Sequence, residues 1–348
     1  MSQSLATKYR PKDFSEVVEQ NIIITILQKA IANHQLNNVI LLSGASGCGK
    51  TSVARLIANA INNNMGSPIE IDGAVVNGVD SIRAMIDNAM QRSLDSEYKI
   101  FIIDECQSLT PQAWQAFLKS LEECPKYTIF IFCTTEPQKL PDTILNRMQQ
   151  YVFTPISNKA IYDRLCYICQ QEHFTNYEAV CDLISKAVNG SMRNAITYLD
   201  QCSTYSKQLD IKVVKQLINI FSYEAVFKLT WALCQNNSTE IISIIESIFT
   251  RGQDLKSFLD WYINFVLDLI KYILFKCHLE VTNIPAYLNT SDNPVVQYTT
   301  EQIENSLVKF NYIVEQILKL KTSVKYDANY KTTIIITLLH IANELQTI

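Results

Sequence analysis

Gly44-Ala45-Ser46-Gly47-Cys48-Gly49-Lys50-Thr51 is the stretch from which the rest of this chain is read. It satisfies the pattern G-x-x-x-x-G-K-[ST]. The apolar run Asn38 to Leu42 before it reads as a strand, and Lys50 to Asn63 after it reads as a helix. A glycine-rich turn between strand and helix lets backbone N–H groups converge on phosphate oxygens, and the helix start adds unpaired donors and a favourable dipole. The cradle would run from Gly44 to Ser52. Lys50 supplies a point charge to the β and γ phosphates, and the Thr51 hydroxyl is placed to coordinate Mg²⁺. Taken alone the loop says only that a nucleotide binds, and leaves small-molecule kinases open.

About fifty residues downstream, Lys99-Ile100-Phe101-Ile102-Ile103 ends in Asp104-Glu105. An apolar strand covered on both faces delivers those carboxylates at its C-terminal end, beside the phosphate loop of a doubly wound sheet. Asp104 would hold the Mg²⁺ shell and Glu105 would orient and polarise the attacking water. The bland alternative, a strand end exposing two acids to solvent, is disfavoured by the loop upstream. Hydrolysis is therefore expected. At the next strand end Thr134 and Thr135 offer hydroxyls, a common feature there and weak by itself. Asn146-Arg147-Met148 follows a short helical stretch, and an arginine there could reach a nucleotide on a neighbouring subunit. Gly190-Ser191-Met192-Arg193-Asn194-Ala195 opens a later helix with another arginine for the γ-phosphate.

Around these motifs, strand-like runs alternate with helical stretches up to Phe153, the rhythm of an α/β layer fold about a mainly parallel sheet. Ser81 to Ser93 and Pro111 to Glu122 read as helices, Thr128 to Cys133 as a strand, and Asn62 to Pro68 as a turn. Beyond Phe153 helical periods dominate. The expected organisation is 1–155 as the phosphate-loop domain, 156–220 as a small helical domain and 221–348 as a second helical domain, interrupted by the breaker-rich Thr282 to Pro294. A chain of 348 residues suits roughly two or three cores. An apolar fraction of 48% with eight glycines and nine prolines argues against extended disorder.

The net charge of −4 excludes a generic polycation, so any nucleic-acid contact must be local. The N-terminal residues lack a secretory apolar core, and the most apolar stretch, Phe258 to Phe275, carries Asp260, Asp268 and Lys271; a cytoplasmic chain without a membrane span is expected. Ten cysteines in such a chain read as small core residues. Cys166-Tyr167-Ile168-Cys169, with His173 and Cys181, has some metal-ligand character, but it lies in a helical pattern and no second CxxC follows. No zinc is expected.

The ordered set Tyr9-Arg10-Pro11-Lys12-Asp13-Phe14, Val17-Val18-Glu19-Gln20, the phosphate loop, Asp104-Glu105-Cys106-Gln107, Leu121-Glu122-Glu123, Thr134 to Pro141, Ile144-Leu145-Asn146-Arg147 and Gly190 to Ala195 resembles the bacterial DNA polymerase III clamp-loader gamma/tau family, of the AAA+ class. The resemblance covers Ser4 to Tyr205. It implies an AAA+ domain, a helical lid and an all-α collar, with ATP and Mg²⁺ as ligands. It places Tyr9, Arg10 and Pro11 against the adenine, Thr135 as the first sensor, Arg147 as the trans arginine finger and Arg193 as the second sensor. The implied partners are other loader subunits in a pentameric ring, a sliding clamp and primer–template DNA, with Arg83 and Lys119 as candidate DNA contacts. Several positions depart from the family pattern. Ser-Arg-Cys has become Asn146-Arg147-Met148, Gln107 stands where histidine is frequent, and Glu19 stands where glycine is frequent. The four-cysteine zinc module is missing, and the chain stops at Ile348 without the long tau extension, which implies the short form. Two other readings compete. One is another AAA+ DNA motor, for branch migration or helicase loading. The second is a non-catalytic loader scaffold, against which the intact Lys50, Thr51, Asp104 and Glu105 count.

Overall fold

The structure, a computed structural model, describes residues 3–217, 223–276 and 300–347, which fall in two compact units, 1–218 and 219–348. The breaker-rich stretch Thr282 to Pro294 lies outside the described residues.

The first unit is built on five parallel strands: β1 (Val39–Gly44), β2 (Ile69–Asp72), β3 (Lys99–Asp104), β4 (Thr128–Thr134) and β5 (Gln149–Phe153), in the order β2-β3-β4-β1-β5. The three central strands are nearly continuous apolar runs because both faces are covered. Their twofold alternation sorts residue types between the faces. Phe101, Phe130 and Phe132 point to one side, where Trp114 and Phe117 join them in an aromatic cluster. Ile40, Leu42, Ile102 and Ile131 point to the other, against Leu27, Val53 and Ile57.

Helix α1 (Leu5–Lys8) packs on the helical part of the unit, and the helices on the sheet faces are α2 (Asn21–Ala32), α3 (Lys50–Ile61), α4 (Val79–Ala89), α5 (Pro111–Glu122) and α6 (Asp142–Leu145). The central strands and α5 lie where the sequence pattern places them. Thr110 caps α5 by accepting from the Ala113 N–H at 3.2 Å, with Pro111 in the first turn. Helix α4 differs from the expected Ser81 to Ser93: extended Gly78 starts it earlier and it ends before Met90. Edge strands β2 and β5 were not anticipated. They are short and half-exposed, and the polar residues in Ile69-Glu70-Ile71-Asp72 and Gln149-Gln150-Tyr151 hide the apolar signal that marks a covered strand.

Four further helices, α7 (Asn158–Gln171), α8 (Glu178–Ala187), α9 (Met192–Tyr205) and α10 (Ile211–Leu217), enclose a separate apolar core that takes in Leu5 from α1. Cys169 and Cys181 are buried in it with sulfurs 3.7 Å apart; the contact with Cys169 and burial push the Cys181 thiol up. Among the described residues no group of three or more His, Cys, Asp or Glu is arranged to hold a metal ion.

The second unit contains α11 (Tyr223–Cys234), α12 (Ser238–Thr250), α13 (Leu255–Lys276), α14 (Thr300–Ser323) and α15 (Tyr330–Glu344) around an aliphatic and aromatic core. Helix α13 contains the apolar stretch Phe258 to Phe275. It buries Phe258, Tyr262, Phe265 and Leu269, while Asp260 pairs with Lys321 and Asp268 with Lys271. Among the described residues no helix is long and apolar enough to cross a membrane.

Candidate active site

The glycine loop leaves β1 with a backbone that side chains would obstruct. Gly44 has φ +144°, and a Cβ there would lie 2.4 Å from the Phe153 carbonyl oxygen of β5. Gly47 has φ +74°, and its Cβ would lie 2.1 Å from Ser191 Oγ. The second approach is close because the helical part of the unit presses on the loop: the Met192 N–H donates to the Gly47 carbonyl at 3.1 Å. Ser191 caps α9 by accepting from the Asn194 N–H, and Arg193 in the first turn of that helix lines the same cavity.

Lys50 is 7% exposed, and its ammonium donates to the Gly44 and Ala45 carbonyls at 2.9 and 2.8 Å. Among the described residues it has no carboxylate partner. A buried cation satisfied by carbonyl dipoles alone keeps its attraction for an anion. Thr51 donates from Oγ1 to Asp104 Oδ2 at 2.7 Å, joining the start of α3 to the end of β3 although β4 lies between β1 and β3 in the sheet.

Glu105 has φ +48°, a left-handed conformation that costs a residue with a side chain about 1–2 kcal/mol. Its N–H donates to Asp104 Oδ1 at 3.0 Å. Its carboxylate is met by Gln107, whose Nε2 donates to Glu105 Oε2 at 2.6 Å and reaches Thr135 Oγ1 at 3.3 Å. Gln107 Oε1 in turn accepts from Thr134 Oγ1 at 2.7 Å, and Thr134 Oγ1 accepts from the Glu136 N–H at 3.0 Å.

These groups border a cavity of about 400 Å³ lined by Tyr9, Arg10, Pro11, Ser46 to Ser52, Asp104, Glu105 and Arg193. Gly44 and Ala45 form the base of the loop. Tyr9 is fastened to the helical part of the unit. Its carbonyl accepts from Arg164 at 3.3 Å and its hydroxyl donates to Glu172, which also pairs with Lys8 at 2.6 Å. Partial burial first, and Glu172 second, push the Tyr9 phenol up. Glu19, where the resembled family favours glycine, has φ +59° and accepts from the Ser157 N–H and hydroxyl at 2.9 and 2.6 Å. The left-handed backbone accounts for glycine there, and the bonds to Ser157 show how glutamate is tolerated.

Besides Gly44 and Ala45, four candidate residues do not line the cavity. Thr135 stands behind Glu105, 3.5 Å from its Oε2. Arg147 lies on the surface, donating from Nε to Glu122 at 2.9 Å and from its terminal nitrogens to Glu122 and the Thr143 carbonyl. Arg83 is exposed beside Asp80, and Lys119 is exposed on α5. Sequence reading missed Arg164 and Asp200, which line the cavity from α7 and α9; neither stands in a local motif. It also set Gln107 aside, although its place two residues after Glu105 was a signal.

A family model described as DNA polymerase III, delta subunit matches residues 68–157. The DNA polymerase III gamma/tau subunit of Mycoplasma genitalium is 32% identical over 299 residues, 79% of this chain and 50% of that protein. The tau subunit of Bacillus subtilis is 32% identical over 78% of this chain and 52% of its own length. The Escherichia coli tau subunit is 30% identical over 74% and 43%. The chain spans about half the length of the curated relatives it matches. Among solved structures, the Thermotoga maritima RuvB Holliday junction branch migration motor superposes with a TM-score of 0.51 at 18% identity, over 65% of this chain and 79% of that one. That likeness carries the fold alone, an α/β architecture about a parallel sheet.

Proposed function

The chain is a homologue of the DNA polymerase III gamma/tau subunits over about three quarters of its length, and on that premise we propose that it is the ATP-hydrolysing subunit of a clamp loader. The observation that carries this is the Thr51–Asp104 contact at 2.7 Å, with Glu105 beside it and the Lys50 ammonium held at the base of the same loop. A scaffold without turnover has no need to keep all four. ATP would lie along the cavity, its phosphates on the N–H groups of Gly47 to Thr51 and on Lys50, its base against Tyr9, Arg10 and Pro11. Thr51 Oγ1 and Asp104 Oδ2 are hard oxygen donors of the kind Mg²⁺ prefers, and the ion would neutralise phosphate charge there. Glu105 would orient the attacking water and take its proton, while Thr135 and Arg193 would sense the γ-phosphate.

Arg147 would act on a neighbouring subunit's nucleotide. Its pairing with Glu122 is a surface ion pair, worth at most about 1 kcal/mol, so a phosphate can displace it. Residues 1–155, 156–220 and 221–348 would serve as ATPase domain, lid and collar. Other loader subunits, a sliding clamp and primer–template DNA would be the partners, with Arg83 and Lys119 as candidate phosphate contacts.

The test is steady-state ATP hydrolysis by the purified chain with its partner subunits, comparing no addition, primed DNA, clamp, and both. Stimulation by clamp and primed DNA together, lost in Arg147→Ala, supports the proposal. Turnover indifferent to both would leave an ATPase with a different task.

A further inference from the structure

We infer that Gln107 is a positioning residue for the hydrolytic step: it pins one oxygen of Glu105 to the end of β4 and leaves the other for water, an inference that rests on the hydrolysis reading above. The hydrogen-bond polarity can be assigned at every link. An ionised carboxylate only accepts, so the side-chain nitrogen of Gln107 must be the atom 2.6 Å from Glu105 Oε2. The Thr134 hydroxyl accepts from the Glu136 N–H at 3.0 Å and therefore directs its own proton to Gln107 Oε1 at 2.7 Å. Both ends of the amide are thus fixed and it cannot rotate without breaking two bonds. The second Nε2 proton points to Thr135 Oγ1 at 3.3 Å, tying in the candidate sensor.

Thr134 is fully buried, so this relay is anchored in the sheet rather than on the surface. Glu105 needs such an anchor because its backbone is left-handed at φ +48° and its side chain borders an open cavity. With Oε2 held, Oε1 has no protein partner among the described residues and is the oxygen able to accept a proton from water. The relay also joins Thr135 and Glu105 through one amide, so a shift at the end of β4 is transmitted to the base.

Three variants of the full chain, each assayed with its partner subunits, clamp, primed DNA and Mg-ATP, test this: Gln107→Leu removes the donor at similar size, Gln107→His restores an N–H donor, and Gln107→Glu puts a carboxylate opposite Glu105. In Gln107→Leu, kcat should fall about tenfold or more with ATP affinity unchanged. Gln107→His should recover most of it. Gln107→Glu also lacks the donor and should lose as much kcat as Gln107→Leu, with ATP affinity unchanged. Wild-type turnover with an unchanged Gln107→Leu kcat, or a Gln107→Leu loss seen equally in ATP affinity, would overturn the positioning role alone. A wild-type chain that, with its partner subunits, clamp and primed DNA, binds ATP without turning it over would overturn the hydrolysis reading and this inference with it.

Discussion

The two units of the chain treat buried polar atoms in opposite ways. The first keeps Gln20, Ser43, Lys50, Asn62, Ser120, Thr128, Thr134, Ser185 and Ser191 buried, and three of these, Ser43, Lys50 and Thr134, stand at the C-terminal ends of β1 and β4 or at the glycine loop. In the second, Thr230 is the buried polar residue among those described, bonded to the Tyr262 hydroxyl at 3.0 Å inside an otherwise apolar core. Burying a polar group costs free energy unless it is paired, so a cluster of such groups at one end of a sheet marks chemistry, whereas aliphatic helix packing marks stability. The difference places the candidate site in the first unit.

The contrast breaks most sharply at Lys50. Lys50→Ala should lower kcat/KM for ATP about a thousandfold, by removing a preorganised charge, and leave the denaturation midpoint nearly unchanged. A loss of stability on the same scale would mean that Lys50 is a structural residue. Next is Phe258→Ala, which empties a fully buried position in α13. It should cost about 3–5 kcal/mol in urea denaturation while ATP affinity at low temperature stays at the wild-type value. A parallel loss of ATP affinity would dissolve the division between the units.

The smallest effect is expected at Glu172. Its hydrogen bonds from Lys8 and then Tyr9 hold the carboxylate below the usual glutamate range. A depressed folded-state pKa stabilises the protein above the ordinary glutamate value, and the contribution disappears as pH falls through the folded value. Lys8 is half-exposed and Glu172 partly so, and solvent screening limits the pair to about 1 kcal/mol. The Tm difference between wild type and Glu172→Gln should be small and constant near neutrality and close toward acid pH.

How legible each part was follows from the same physics. The placement of the glycine loop, Asp104 and Glu105 around one cavity was readable because a phosphate site would require particular residue types at fixed spacing next to apolar strands. The ends of β3 and β4 were readable because covered parallel strands are uninterrupted apolar runs. Strands β2 and β5 were not, since half-exposed edge strands keep too few apolar positions. The hold on Tyr9 by Arg164 and Glu172 joins residues more than 150 positions apart, and no local pattern announces it. Gln107 was visible but misjudged: its role lies in which atoms it donates to and accepts from, and residue identity does not convey that.

The most direct measurement is ATP binding and single-turnover hydrolysis by Glu105→Gln beside the wild-type chain. Wild-type affinity for Mg-ATP with hydrolysis slowed about a hundredfold would identify the cavity as a hydrolytic centre whose binding and chemistry are carried by different residues. Unchanged hydrolysis, or affinity lost in step with rate, would contradict it.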